Sequence, residues 1–264
     1  MHLETLKLPD LRISDEADFR HVGLYGELKR ALVRDGYRFL VPPRGSSATW
    51  SRVLLLNLTF WDTNEQGDVL ASDEIYADVV MHVAWHHLAR RALATARASA
   101  EALFVGESIA SAFDLYLVGR LLGHSPDAAF LQTQVPAMAD VAAEAGMSAE
   151  AFAALLDTVA GDPEQAFEDL RELLFDASLA LFRCANSAQA AEALAAFDGH
   201  RFAALLHHYE LSSWVLYARA YAPSAAGEPA LDPAAHAIDA ALRAAPGQAL
   251  RWLEDRWLAE PASC

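Results

Sequence analysis

The sequence predicts a mainly α-helical protein: a small N-terminal β element, then two helices that carry the chemically suggestive residues, then a C-terminal helical bundle. Three observations carry this reading. Alanine and leucine, both strong helix formers, dominate from Leu88 onward, where Gly and Pro are sparse. Short stretches rich in β-branched and aromatic residues lie before residue 62. Hydrophobic residues make up 54% of the 264, ample for a sizeable buried core.

Taken in order, Met1 to Ser14 reads as an extended arm. Ser14 or Asp15 caps a helix through Phe19, Val22 and Leu28 to about Val33, and Asp35-Gly36 ends it. Tyr37 to Val41 reads as a strand stopped by Pro42-Pro43, and Trp50 to Trp61 as a second strand. Asp62 to Ser72 is a polar loop, and Asp73 is a suitable N-cap for a helix that runs through the histidines at 82 and 86 into Leu88 to Leu103. Gly106 interrupts that helix or opens the next, which spans Glu107 to Leu122 and stops at Gly123-His124-Ser125-Pro126. Further helices are expected over 127–146, 148–160, 163–186, 187–197, 200–221 and 233–257, with a small-residue loop at Pro223 to Pro229. A composition shift near Gly123 divides a motif-bearing region, 1–122, from a helical remainder, 123–264, packed as one globular unit.

A formal charge of −16 and a pI near 4.9 repel phosphate backbones and acidic membranes, so neither nucleic acid nor membrane is an expected partner. Cys184 and Cys264 make no disulfide framework. The N-terminus lacks a cationic start followed by a long apolar core, and no apolar run reaches the roughly 18 residues of a membrane span. The expectation is a cytoplasmic protein. Phosphate-binding Gly-rich loops and a Gly-x-Ser-x-Gly elbow are absent.

The stretch from Asp73 to Asp114 holds the chemistry. His82 and His86 stand four residues apart in the apolar run Val79 to His87, so helical geometry puts both imidazoles on one face, one turn apart. Glu107, on a following antiparallel helix, can bring a carboxylate beside them, completing two nitrogens and one oxygen for a metal ion. Asp114, seven residues after Glu107 on the same face, is placed to orient a ligand imidazole from outside, and His87 is a surface group or an outer partner of the same centre.

These residues resemble the thermolysin-like zincins, or gluzincins, in which an HExxH helix is followed about twenty residues on by a Glu-bearing helix. His82-Val83-Ala84-Trp85-His86 matches the motif at both histidines, and Glu107 lies 107 − 86 = 21 positions later in a Gly-Glu-Ser-Ile-Ala-Ser context. The resemblance covers about fifty residues. It implies a single divalent metal, Fe(II) or Zn(II), on His82, His86 and Glu107, and Glu107 stands with His207 among the catalytic candidates. The chain departs where the zincins carry their general base: that position is Val83, which cannot take a proton from metal-bound water. A weaker similarity is to HExxH-type proteins of peptide modification, some of which use iron.

Two histidines and one carboxylate are also the ligand set of non-haem Fe(II) oxygenases. The first expectation is therefore a non-hydrolytic metalloenzyme that modifies a peptide or small molecule. Arg120 and Arg201 are candidates to hold a 2-oxoglutarate co-substrate or a substrate carboxylate, as is Arg219. His200 and His207, seven apart, could share a helical face and close the pocket from the C-terminal half, as a substrate-polarising histidine does in zincins. A catalytically inactive scaffold that binds a protein or peptide partner, and a weak zinc hydrolase using Glu210 or another carboxylate as base, are the alternatives.

Overall fold

The computed structural model describes residues 3–43, 67–93, 99–221 and 232–259, and they form a mainly α-helical fold with a small N-terminal strand element. The chain divides into two compact units, Met1–His87 and Leu88–Cys264. The boundary between these units falls inside a helix.

In the first unit the N-terminal arm is not loose. Its first half is strand β1 (Glu4–Lys7), which pairs antiparallel with β3 (Arg38–Val41), setting Glu4 opposite Val41 and Lys7 opposite Arg38. A 3-10 turn at Leu8–Asp10 leads into β2 (Arg12–Ser14). The expected helix after Asp15 is broken in two, α1 (Glu16–Phe19) and α2 (Tyr25–Arg34), because residues 20–24 form turns around Gly23. Gly36, at φ +64°, adopts the left-handed backbone that ends α2 as its sequence suggests. Strand β4 (Asp68–Val69) adds to β3 in parallel, within what reads as a polar loop. The predicted strand at Trp50 to Trp61 lies outside the described residues.

The histidine helix, α3 (Ala77–Ala92), starts three residues later than an Asp73 cap would place it. Glu74–Tyr76 is instead strand β5, parallel to β2, with Arg12 opposite Glu74. Glu74 accepts hydrogen bonds from Ser14 Oγ and Arg12, which fixes it in this two-stranded sheet and removes it from the helical face of the histidines.

The second unit is built round α4 (Ala100–Leu122). Ser99 caps its N-terminus by accepting a bond from the Ala102 amide at 2.9 Å, so the break between the two motif helices falls before Ser99 and Gly106 lies inside α4. This helix is buried on nearly every side, and an 18-residue window with mean hydropathy 1.4 makes it long and apolar enough to cross a membrane by length and composition. In the fold, 89% of that window is buried inside the protein. Around it lie α5 (Ala129–Glu144), α6 (Ala149–Gly161), α7 (Pro163–Phe182), α8 (Ser187–Ala195), α9 (Leu211–Tyr221), α10 (Pro233–Arg243) and α11 (Ala249–Leu253). Gly119 lets α4 approach the junction of α6 and α7: a Cβ there would lie 2.6 Å from the Val159 carbonyl oxygen.

The expected helix from His200 to Tyr221 is in fact a 3-10 segment, Ala203–Tyr209, followed by α9. Likewise, 233–257 is divided by Gly247, at φ +69°, between α10 and α11. Arg219 of α9 donates to the carbonyls of Phe182, at 2.9 Å, and Cys184, and so caps the C-terminal end of α7, where a cation is favoured. The predicted loop at Pro223 to Pro229 lies outside the described residues.

Candidate metal centre

The apolar run before His82 is what folds as α3: Val80 and Met81 are fully buried, as are Ala84 and Trp85 on the next turn. His82 and His86 are left half-buried on one face. Their Nε2 atoms lie 3.1 Å apart and their ring centroids 4.8 Å apart. Nitrogen ligands about 2.1 Å from an ion sit about 3.0 Å apart at a right angle and about 3.4 Å apart at a tetrahedral angle, so the observed separation suits a shared ion. Glu107 is the third member. Among the described residues, His82, His86 and Glu107 form a group of metal-ligating side chains in which one ligand atom from each lies within 4.8 Å of the others. Val83, between the two histidines, is a buried aliphatic residue, 6% exposed.

The remaining sequence candidates are placed differently from one another. His87 turns away from its neighbours on the helix and meets the end of α2, its Nε2 lying 2.8 Å from Asp35 Oδ2 and its ring edge-on to Tyr37 at 5.2 Å. Asp114 is half-buried on α4, and its charge acts on His208 and Tyr209. His207 itself is exposed. The reason lies in the backbone: with three residues per turn in the 3-10 segment, and His200 in the turn before it, the seven-residue spacing no longer puts His200 and His207 on one face.

It is the neighbouring His208 and Tyr209 that turn inward. They sit edge to face at 5.0 Å. Burial lowers the His208 pKa below the ordinary histidine value, against the opposing pull of Asp114 and Glu210. Burial also raises the Tyr209 phenol, with Asp114 pushing the same way. The only signal for this pair in the sequence is the doublet His207-His208 itself, whose inward member depends on the local helix type.

The arginines are already engaged. Arg120 Nε donates to the Tyr116 hydroxyl at 3.0 Å and its Nη2 pairs with Glu164. Arg201 pairs with Asp169 at 2.7 Å and lies over the Phe202 ring at 4.5 Å. A 2-oxoglutarate carboxylate would therefore have to displace Glu164 or Asp169. Arg219 is spent on the end of α7.

Burial also lowers the pKa of His200, and together with His208 it gives the fold a pH dependence of definite sign. Both imidazoles bind a proton less readily folded than unfolded, so below the unfolded value of about 6.5 the unfolded state holds more protons. Stability then falls as pH drops below about 6.5, until the folded-state values are passed. Thermal unfolding between pH 7 and pH 5 should show this loss, and His208→Asn should flatten it.

No protein-family model matches the chain, and neither the curated proteins nor the solved structures contain a detectable relative. The centre therefore stands on its residues and their geometry.

Proposed function

We propose that the chain is a mononuclear metalloenzyme that holds one divalent transition metal on His82, His86 and Glu107 and uses it for non-hydrolytic modification of a peptide or small molecule. The observation that supports this is the coincidence of three donor atoms within 4.8 Å with an apolar valine at the position of the hydrolytic base. Two imidazole nitrogens and a carboxylate oxygen suit Fe(II) and Zn(II) alike, and which ion fills such a site depends on supply as well as geometry. When bound, the ion supplies a Lewis-acid centre with coordination positions left for substrate or dioxygen.

The protein's own part is to hold three donors in place and to keep a proton-accepting group out of position 83. Val83 excludes the carboxylate that would draw a proton from metal-bound water, which disfavours hydrolysis without touching the ligands.

Metal analysis of protein purified without oxygen tests the reading. About one iron or zinc per chain is expected in the wild type, and close to none in His82→Ala. A wild type free of transition metal would overturn the proposal. Partner binding unaffected by His82→Ala and Glu107→Ala would favour the inactive binding scaffold, and peptidase activity gained by Val83→Glu would favour descent from a hydrolase.

A further inference from the structure

Two imidazoles on one helical face serve a common ion only if the helix is held at one rotation about its own axis. Atoms at the surface of a helix lie about 5–6 Å from that axis, so a turn of about 10° carries them through about 1 Å. Metal donors need to be held within about 0.5 Å of their working positions. The buried side of α3, with Val80, Met81, Ala84 and Trp85, seats the helix by apolar burial, whose driving force is non-directional. A directional restraint comes from a polar contact.

His87 makes such a contact. A step of about 100° round the helix separates it from His86, so it faces a different neighbour, the end of α2. There its Nε2 lies 2.8 Å from Asp35 Oδ2. An ionised carboxylate can only accept, so Nε2 carries the hydrogen and donates it. The two side chains are 14% and 17% exposed, which keeps most competing water from the bond and strengthens it. What His87 meets is itself held. Asp35 closes α2, its amide donating to the Ala31 carbonyl at 3.0 Å, and its carboxylate also accepts from Arg34 Nε at 2.9 Å. Tyr37, edge-on to the His87 ring, is 6% exposed and donates its hydroxyl to Asp68 at 2.8 Å. His87, Asp35, Tyr37 and Asp68 all belong to the first unit, with His82 and His86.

We propose that His87 is a positioning residue of the metal centre: by donating to Asp35 it sets the rotation of α3, and with it the direction of His82 and His86, without touching the ion. This rests on the reading of those two histidines as ligands. The bond to Asp35 carries the effect, and the ring contact with Tyr37 supports it.

Competition titrations with zinc, and the visible absorption of the cobalt(II)-loaded full chain, test the lock. His87→Phe keeps a ring against Tyr37 and loses the donor, whereas His87→Gln loses the ring but places an amide N–H near the position of Nε2. His87→Phe should weaken zinc binding roughly tenfold, the lower end of the effect of groups that orient ligands, and should change the cobalt bands. His87→Gln should stay within about twofold of wild type with unchanged bands. Asp35→Ala should match His87→Phe, and the double variant should be no weaker than either single one, because both remove the same bond. Should His87→Phe not fold, as judged by circular dichroism, Asp35→Ala against His87→Gln gives the same comparison. Lower thermal stability with zinc affinity and cobalt bands unchanged would mean that His87 serves the fold alone, which overturns the lock and leaves the centre standing. Equal weakening by His87→Gln and His87→Phe also overturns it, since the hydrogen bond would not be the cause. A wild type that takes up neither zinc nor cobalt overturns the centre and the lock together.

Discussion

Asp239→Ala is expected to destabilise the protein by about 3–5 kcal/mol, the usual cost of stranding one member of a buried ion pair. Arg171 of α7 is 1% exposed, and its Nη1 donates to Asp239 Oδ1 of α10 at 2.6 Å. Removing the carboxylate leaves a guanidinium enclosed by protein. Its remaining acid partner is Glu172, 3.6 Å away, and its Nε already has no hydrogen bond among the described residues. Arg243 loses less, because it keeps Glu172 at 3.1 Å and Asp176 at 2.8 Å when Asp239 is gone. Urea denaturation gives the size directly. Replacing both partners at once, Arg171→Met with Asp239→Leu, should restore most of the loss, since a buried ion pair gains little over an apolar pair of similar volume. A single mutant that costs less than about 1 kcal/mol would mean that water reaches Arg171.

Gly119→Val should cost roughly 3 kcal/mol, at the upper end of overpacking effects. A Cβ on Gly119 would meet the Val159 carbonyl oxygen at 2.6 Å and two carbons of Pro163 at 3.1 Å. The first of these is backbone, and it cannot swing aside as the end of a flexible side chain would. Ala is the informative comparison: its helix propensity favours it over Gly by up to about 1 kcal/mol, yet the same Cβ clash is present. Gly119→Ala is therefore expected to lie between wild type and Gly119→Val in thermal unfolding. Equal stability of wild type and Gly119→Val would show that α4 can move away from the junction of α6 and α7 at little cost.

Much of this architecture could be read from local pattern. The run from Val79 to His87 announces both a helix and the shared face of its two histidines, because spacing within one helix needs no knowledge of the rest of the chain. Strand β3 and the helical ends at Gly36 and Gly123 follow from short-range signals of the same kind. Local pattern fails where a distant partner decides. Glu74 looks like the first turn of a helix, but Ser14 and Arg12, some sixty positions earlier, hold it in a strand. Conversely, Ala-rich sequence after Leu88 reads as uninterrupted helix, whereas the cap at Ser99 is a local signal that composition obscured.

The candidate centre divides in the same way. His82, His86 and Glu107 are legible because each sits in a regular helix at a spacing that fixes its direction. His208 is not, because the choice between it and His207 turns on a 3-10 segment that the sequence does not distinguish from an α-helix. The engagement of Arg120 and Arg201 is likewise invisible without Glu164 and Asp169, residues on another helix.

The start of α4 depends on residues made long after it. Ser99 not only caps the helix but donates through Oγ to Asp232 Oδ2 at 2.6 Å, across 133 positions. Asp232 in turn caps α10 through the amides of Ala234 and Ala235, while its own amide donates to the buried Glu101. His236 Nε2 lies 3.2 Å from the same Glu101 carboxylate. Burial alone would raise the Asp232 pKa, but the Ser99 and amide hydrogen bonds outweigh it and hold the carboxyl low. During synthesis, then, the helix that bears Glu107 leaves the ribosome well before the partners of its first turn exist. Its N-terminal end can be completed only when the last third of the chain has emerged, which makes final assembly of the second unit a late, long-range event.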